Sequence, residues 1–425
     1  MYIILNVLLS IATVFLLGGG VYFSIKMKFP QLQWKKMFIS SKNIDNSGIS
    51  PFKSLMMSLA ARIGVGSVAG IALAIYIGGP GTIFWIWVIG FITSVNTYCE
   101  SYLGAKYQIK DKDGYKGGPA YYILKGLNNH FLATLYSIII IIAYIFGFMT
   151  IQANTITISI TNFYKINPII IAIVISIVSF FSILKGLKTV VGITSKIVPI
   201  IGIGYILISY IIIIKNINII PSLIINIIKN ALSVKGLMAS FIPSFIIGCK
   251  RAVFSTEAGL GTSSIASSTT NTNDKVKLGL MQILGIYFTI FIVCTSTALI
   301  ILTSPYNSMF FDNLNGIELT QYALFYHLGN IGNVILIISI IFLAYSTIVA
   351  GYYYGESNLR FLYNNETFIF LLKIITILLL FFGSIMSANI LWNIVDISVE
   401  LLAIINMYAL FKLRKEIIFD YKKKK

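Results

Sequence analysis

Charged residues are scarce in this chain: they make up 11% of its 425 residues, and only 14 are acidic. A soluble protein carries roughly 25% charged residues to dress its surface, so a soluble enzyme is excluded. Cysteine is nearly absent. Cys99, Cys249 and Cys294 lie inside apolar stretches with no CxxC spacing, which supports neither a disulfide scaffold nor a thiolate metal site. The two histidines, His130 and His327, are too far apart in sequence to build an imidazole metal centre. Neither HExxH nor GxSxG occurs, so the common hydrolytic chemistries have no anchor.

What is present in excess is apolar sequence. Hydrophobic residues reach 57% and the mean hydropathy is +0.88. A membrane-crossing helix needs about 20 apolar residues, so eleven of them would use about 220 and leave room for loops. The chain therefore reads as an all-α polytopic membrane protein. Its first apolar run, Ile3 to Phe23, lacks a basic leader and a small-residue cleavage pattern, and reads as a retained helix.

Apolar runs place spans near 3–24, 54–77, 82–107, 131–158, 167–184 and 189–214. They continue near 236–271, 277–303, 331–359, 367–387 and 389–411. A Leu/Tyr/Phe stripe over 317–329 predicts a short amphipathic helix lying at the surface. The domain reading follows: an extra N-terminal helix (1–24), a cytoplasmic loop (25–53), five helices (54–214), an extracellular connection (215–235), five more (236–411) and a basic cytoplasmic tail (412–425).

The net charge of +18 is no sign of nucleic-acid binding, because the basic residues cluster in short loops. With 25–53 taken as cytoplasmic, inside segments hold 23 Lys and Arg against 4 outside. That asymmetry sets the N-terminus outside and the C-terminus inside a cell membrane.

Two spans carry signs of interruption. The second reads SLMMSLAARIGVGSVAGIALAIYI, with Gly64 about 15 Å along it, near the bilayer midplane. Backbone unwound at that depth must line a cavity or be covered by protein. Gly66 and Gly70 also form a GxxxG pair suited to close helix packing, and on this stretch alone packing is the favoured reading. The seventh span is too long for one straight crossing and contains KRAVFSTEAGLGTSS, whose Arg251 and Glu257 are costly in hydrocarbon. After the first helix these two spans each open a set of five. Five is odd, so the sets have opposite topology, the sequence pointer to a transporter's central site.

The stretches SLAARIGVGSVAGIALAIYIGGPGTIFWIWV, GYKGGPAYYILKGL, RAVFSTEAGLG, YYYGESN and WNIVD occur in order along the chain. Together they resemble the alanine/glycine:cation symporter family, over nearly the whole length. The resemblance implies a LeuT-type 5+5 inverted repeat preceded by one extra helix, with Na⁺-coupled uptake of small neutral amino acids. It implies no organic cofactor, no nucleic acid and no obligate protein partner.

Within such an architecture, freed amides around Gly64, Val65, Gly66 and Ser67 at the positive end of a half-helix would hold the substrate carboxylate. Freed carbonyls of Ala60 and Ile63 would serve Na⁺, completed by similarity with the hydroxyls of Ser346 and Thr347. Those hydroxyls are equally suited to back-bonding within their own helix. The family counterpart of Gln152 lines the amino-acid pocket, although an interhelical hydrogen bond competes with that role. Phe254 and Ser255 match the interrupted region as pocket wall and polar contact. Glu257 is expected to pair with Arg251 or Arg62, and Asp396 to join a polar network. Glu100 and Glu356 read as helix-end residues paired with loop lysines.

The chain departs from its relatives in four places. Val65 and Ser67 stand within a usual GTGN, and Thr256 replaces an asparagine. Gly351 stands where many members have tryptophan, and Glu400 where the residue is commonly small or neutral. Losing an indole removes a large pocket wall, which predicts room for a substrate larger than alanine, such as glutamine. A carboxylate near mid-membrane raises H⁺ as an alternative coupling ion. A channel or a membrane-embedded enzyme fits the pattern far less well.

Overall fold

The computed structural model describes residues 2–38, 48–111, 114–184, 186–233, 241–306 and 316–424. Parts of the predicted 25–53 loop, of the 215–235 connection and of the start of the 236–271 span lie outside these residues, as do Lys42, Lys112, Lys185, Lys235 and Lys425.

Helix α1 (Tyr2–Lys26) is a single long helix near the N-terminus. Phe15, Tyr22 and Phe23 on it pack around Phe411, with ring centroids 5.8–6.3 Å apart. The second predicted span is broken. Helix α2 (Pro51–Arg62) starts with Ser50 accepting from the Lys53 amide and with proline in its first turn, where no donor is lost. It stops at Ile63, whose ψ of 82° is far from helical. The chain resumes as α3 (Gly66–Gly78), bent by 51° from α2 and opening with a wide π-helical turn, Gly66–Gly70.

Helix α4 (Gly81–Lys106) follows as a heavily buried central element. A short antiparallel hairpin, Ile109–Asp111 with Gly114–Lys116, and helix α5 (Pro119–Leu127) lead to α6 (His130–Tyr164). Next come α7 (Pro168–Ile183) and α8 (Leu187–Lys215). Ile200, Ile203, Leu207, Ile211 and Ile214 are all more than half exposed on α8. Their spacing puts them on one face, which is how a helix meets lipid rather than water. The 215–235 connection contains a helix the apolar runs did not separate, α9 (Ile220–Leu232).

The seventh predicted span is also divided. Helix α10 (Ile242–Thr256) ends where Glu257 takes a left-handed conformation, φ 53°. Gly259 and Gly261 follow at φ 87° and 95°, a backbone that glycine adopts without strain. Helix α11 (Thr262–Ser267) completes this unit. After it come α12 (Lys275–Leu302), α13 (Ile317–Leu328), α14 (Asn330–Leu362), α15 (Glu366–Ile385) and α16 (Ala388–Lys412).

Helix α13 is less superficial than its stripe predicts. It buries Ile317, Leu319, Ala323 and Leu324, and Gln321 donates to the Ser159 carbonyl. The 412–425 tail is not a loose basic end but holds a docked helix, α17 (Arg414–Lys423). Its Asp420 and Glu416 take Lys106, and its Ile417 and Tyr421 are buried.

By length and hydropathy, eight helices among the described residues suffice to cross a membrane, or nine if α2 with α3 is one bent span. The count falls short of eleven for a physical reason. Helix α7 has 16 residues, which rise about 24 Å against a hydrocarbon core of about 30 Å, and α10 is shorter still.

Candidate binding site at the broken helices

Breaking a helix frees backbone groups, and each must find another partner when buried. At the first break the Val65 amide donates to Gln152 Oε1 of α6 at 3.0 Å. The Ala60 carbonyl, left without its helical partner, accepts from Thr347 Oγ1 of α14 at 2.7 Å. The Gly64 carbonyl accepts from Ser67 Oγ at 3.1 Å. At Gly64 the chain sits so close to its neighbours that any side chain would displace them. A Cβ on Gly64 would lie under 3.0 Å from both Thr347 Oγ1 and Gln152 Oε1.

The predicted cation ligands divide. Ala60 and Thr347 are in direct contact, whereas Ser346 donates to the Leu343 carbonyl of its own helix at 2.8 Å. Ile63 is buried at the break, its amide still bonded to Leu59. Two residues that the sequence reading missed steady the start of α3. Thr297 of α12 donates to the Ser67 carbonyl at 2.9 Å, and Tyr205 of α8 lies 2.8 Å from that threonine's hydroxyl.

The predicted pocket wall lies against the same spot. A Cβ on Gly66 would stand 2.6 Å from the Phe254 ring and 3.4 Å from Ser255 Oγ. Phe254 stacks on Phe148 at 4.9 Å and meets the edge of Trp392 at 5.1 Å. Arg251 spreads over Trp392, 4.3 Å from the ring centre, while its Nη2 reaches both Asp396 oxygens at 2.9 Å. Lys250 adds a second cation 3.7 Å from Asp396. Asp396 therefore does join a polar network, but Arg251 is its partner and not that of Glu257.

The second break is fastened by side chains from three helices. Asn406 donates to the Gly259 carbonyl at 2.9 Å and Tyr136 to the Leu260 carbonyl at 2.7 Å. Glu100 Oε2 accepts from the Gly261 amide at 2.8 Å and from Asn406 at 3.0 Å. Glu100 is thus no helix-end partner of a loop lysine; it is fully buried and holds the break from inside α4. Its signal in the sequence is a carboxylate within an apolar run, as at Glu257. Glu356 pairs with Arg360 at 2.8 Å rather than with a lysine.

Arg62, at the end of α2, is buried and donates to Ser263 Oγ across the gap to α11. Glu257 accepts from the Thr262 hydroxyl at 2.8 Å and acts on Arg62 electrostatically, yet the two form no direct ion pair among the described residues.

The space beside Gly351 is not vacant. The Tyr144 ring and Met149 stand 3.0 and 3.4 Å from where its Cβ would be, and Tyr144 stacks on Phe148. Residues of another helix thus pack against Gly351. Gly64, Val65, Gly66, Ser67 and Gln152 are all buried.

The sequence matches the model of the sodium:alanine symporter family over residues 2–425. It is 35% identical to the amino-acid carrier protein AlsT of Bacillus subtilis, covering 93% of this chain and 85% of that one. It is 33% identical to the probable sodium/glutamine symporter GlnT of the same organism, over 97% and 88%. It is 33% identical to the sodium/alanine symporter AgcS of Methanococcus maripaludis, over 96% and 93%. A solved Na⁺-coupled sialic acid symporter shares the fold with a TM-score of 0.53 at 14% identity, over 97% of this chain and 82% of that one.

Proposed function

The chain belongs to the sodium:alanine symporter family, and from that premise we propose that it imports small neutral amino acids with Na⁺ by alternating access. The observation that carries this reading is the first break. There, one backbone donor (Val65) and one acceptor (Ala60) are freed within a few residues and held by the neutral groups of Gln152 and Thr347. A substrate carboxylate is a stronger acceptor than Gln152 Oε1, since charge-assisted hydrogen bonds are about twice as strong as neutral ones. It takes the Val65 amide when the site opens. Na⁺ joins the Ala60 carbonyl and the Thr347 hydroxyl, oxygen ligands suited to a hard cation, with Ile63 and Ser346 as further candidates.

In this reading α1 precedes two inverted sets of five crossings. The first is α2 with α3, α4, α6, α7 and α8; the second is α10 with α11, α12, α14, α15 and α16. The two corresponding breaks and the shared fold of the sialic acid symporter support it. The lysine asymmetry supports an N-terminus outside and a C-terminus inside. Phe254, Trp392 and the ion cluster of Asp396 with Arg251 and Lys250 then close the outer side, and Arg62, Ser263, Glu257 and Glu100 the inner. Tyr144 and Met149, filling the room beside Gly351, favour substrates of alanine or glycine size over glutamine.

The test is uptake of labelled alanine into proteoliposomes under separately imposed Na⁺ and H⁺ gradients, with wild type and Thr347→Ala. Uptake should need the Na⁺ gradient, and the variant should raise half-saturating Na⁺ about tenfold, or ~1.4 kcal/mol. Uptake driven by H⁺ alone, or an unaltered Na⁺ dependence in the variant, would overturn the assignment.

A further inference from the structure

Glu400 lies outside the site described above. It is twelve residues into α16, about 18 Å along the helix and so well inside the membrane. It is 3% exposed, and neither carboxylate oxygen meets a hydrogen-bond donor among the described residues. It lines a cavity of about 10 Å³, close to the room one water needs. Helix α1 contributes apolar Leu9, Ala12 and Leu16 and polar Thr13. Helix α10 contributes Lys250, and Asp396 lies one turn back on α16. Asp396, Lys250 and Arg251 are the charged groups that act on Glu400. Both cations, however, are drawn to Asp396, Arg251 at 2.9 Å and Lys250 at 3.7 Å. A carboxylate placed there without a donor, one helical turn from another carboxylate, has no counter-ion of its own.

We propose that Glu400 is a proton-binding site, seated between the N-terminal helix and the gate pair, whose ionisation draws Lys250 from Asp396 and loosens the outer closure. The proposal rests on the transport reading above, in which that closure faces outside. Lys250, whose side chain at 13% exposure is more open than Asp396 at 9% or Arg251 at 5%, marks the way by which a proton would reach Glu400 from outside. With the proton bound, the carboxyl is neutral and both cations stay on Asp396, as in this structure. With it released, Glu400 is an anion one turn below Asp396, and the long, flexible Lys250 is the cation free to shift, because Arg251 is pinned on Trp392. Alkaline solution outside therefore favours the open outer side.

The experiment measures the KM for labelled alanine in proteoliposomes at fixed Na⁺ gradient and fixed internal pH while external pH is varied. In wild type the KM should fall as external pH rises, by up to about tenfold per unit, the slope of one titrating proton. Glu400→Gln should hold KM at its acid value throughout, and Glu400→Asp should restore a pH step. A Glu400→Gln profile superimposed on that of wild type, or a flat wild-type profile, overturns the site. Should Glu400→Gln fail to fold, Lys250→Gln carries the test, since it removes the group that responds; a pH step persisting there overturns the proposal as well. No Na⁺-driven uptake at any pH overturns the transport reading and the gate together, which separates that failure from the others.

Discussion

Adding one methyl group at Gly64 is the sharpest probe of the site. The backbone there is not in the left-handed region, so alanine costs no conformational strain and acts through sterics alone. Its Cβ would land under 3.0 Å from Thr347 Oγ1 and 2.8 Å from Gln152 Oε1. Both neighbours must shift, at roughly 1–3 kcal/mol for overpacking a closed interior. The shift also threatens the hydrogen bonds to Ala60 and Val65, each worth about 0.5–1.5 kcal/mol. The packed break should lose about 2–6 kcal/mol, and because a substrate carboxylate and Na⁺ would meet the same methyl group, uptake at limiting alanine should fall about 30-fold or more. The assay is Na⁺-driven alanine uptake, paired with thermal melting with and without Na⁺ to separate a damaged site from a damaged fold. Combining Gly64→Ala with Thr347→Ala removes the nearer clash and should recover melting temperature without recovering Na⁺ dependence. If Gly64→Ala alone transports alanine with unchanged KM and Na⁺ dependence, the placement of substrate and cation at this break is wrong.

Two further outcomes are expected. Asp396→Asn leaves Arg251 buried and Lys250 partly buried without their anion; breaking such a pair costs about 3–5 kcal/mol, so melting temperature should drop markedly while an exposed control such as Lys125→Gln leaves it unmoved. The docking of α17 should be acid-sensitive. Burial pushes the Asp420 and Asp274 carboxyls up, but hydrogen bonds outweigh it, from Lys106 and Tyr102 to Asp420 and from the Lys277 amide and Lys424 to Asp274, and hold both below the ordinary 3.8. Groups lowered in this way contribute docking stability above their free value and lose it as pH falls through the lowered one. Hydrogen exchange over 414–423 should thus stay protected at pH 5 and rise only below about pH 4; loss of protection at pH 6 would refute this account.

Much of the site was legible along the chain because a membrane makes certain residues conspicuous. Gly64 and Gly66 in one apolar run, and Arg251 and Glu257 in another, stand out against hydrocarbon that tolerates neither free backbone nor free charge. Gln152 and Thr347 were legible as polar residues at mid-span. Which of them meet was not. Neighbouring hydroxyls on one helix, Ser346 and Thr347, look alike in sequence, but only the second faces the Ala60 carbonyl. Partner choice also escaped the reading. Arg251 lies six residues from Glu257 in the chain, yet a short helix and a left-handed turn carry them apart, and Asp396 from the far end of the sequence takes its place.

Composition and pattern alone determined that this chain is a bundle of membrane helices, where its two helices break and which family it resembles. Those properties depend on local hydropathy and backbone freedom, which neighbouring residues carry in full. Only the packed structure decided that Tyr144 fills the space left at Gly351, that Glu100 and Asn406 fasten the second break, and that Glu400 stands apart from both cations beside it. These are distances between helices remote in sequence, set by how side chains of different shape share one interior.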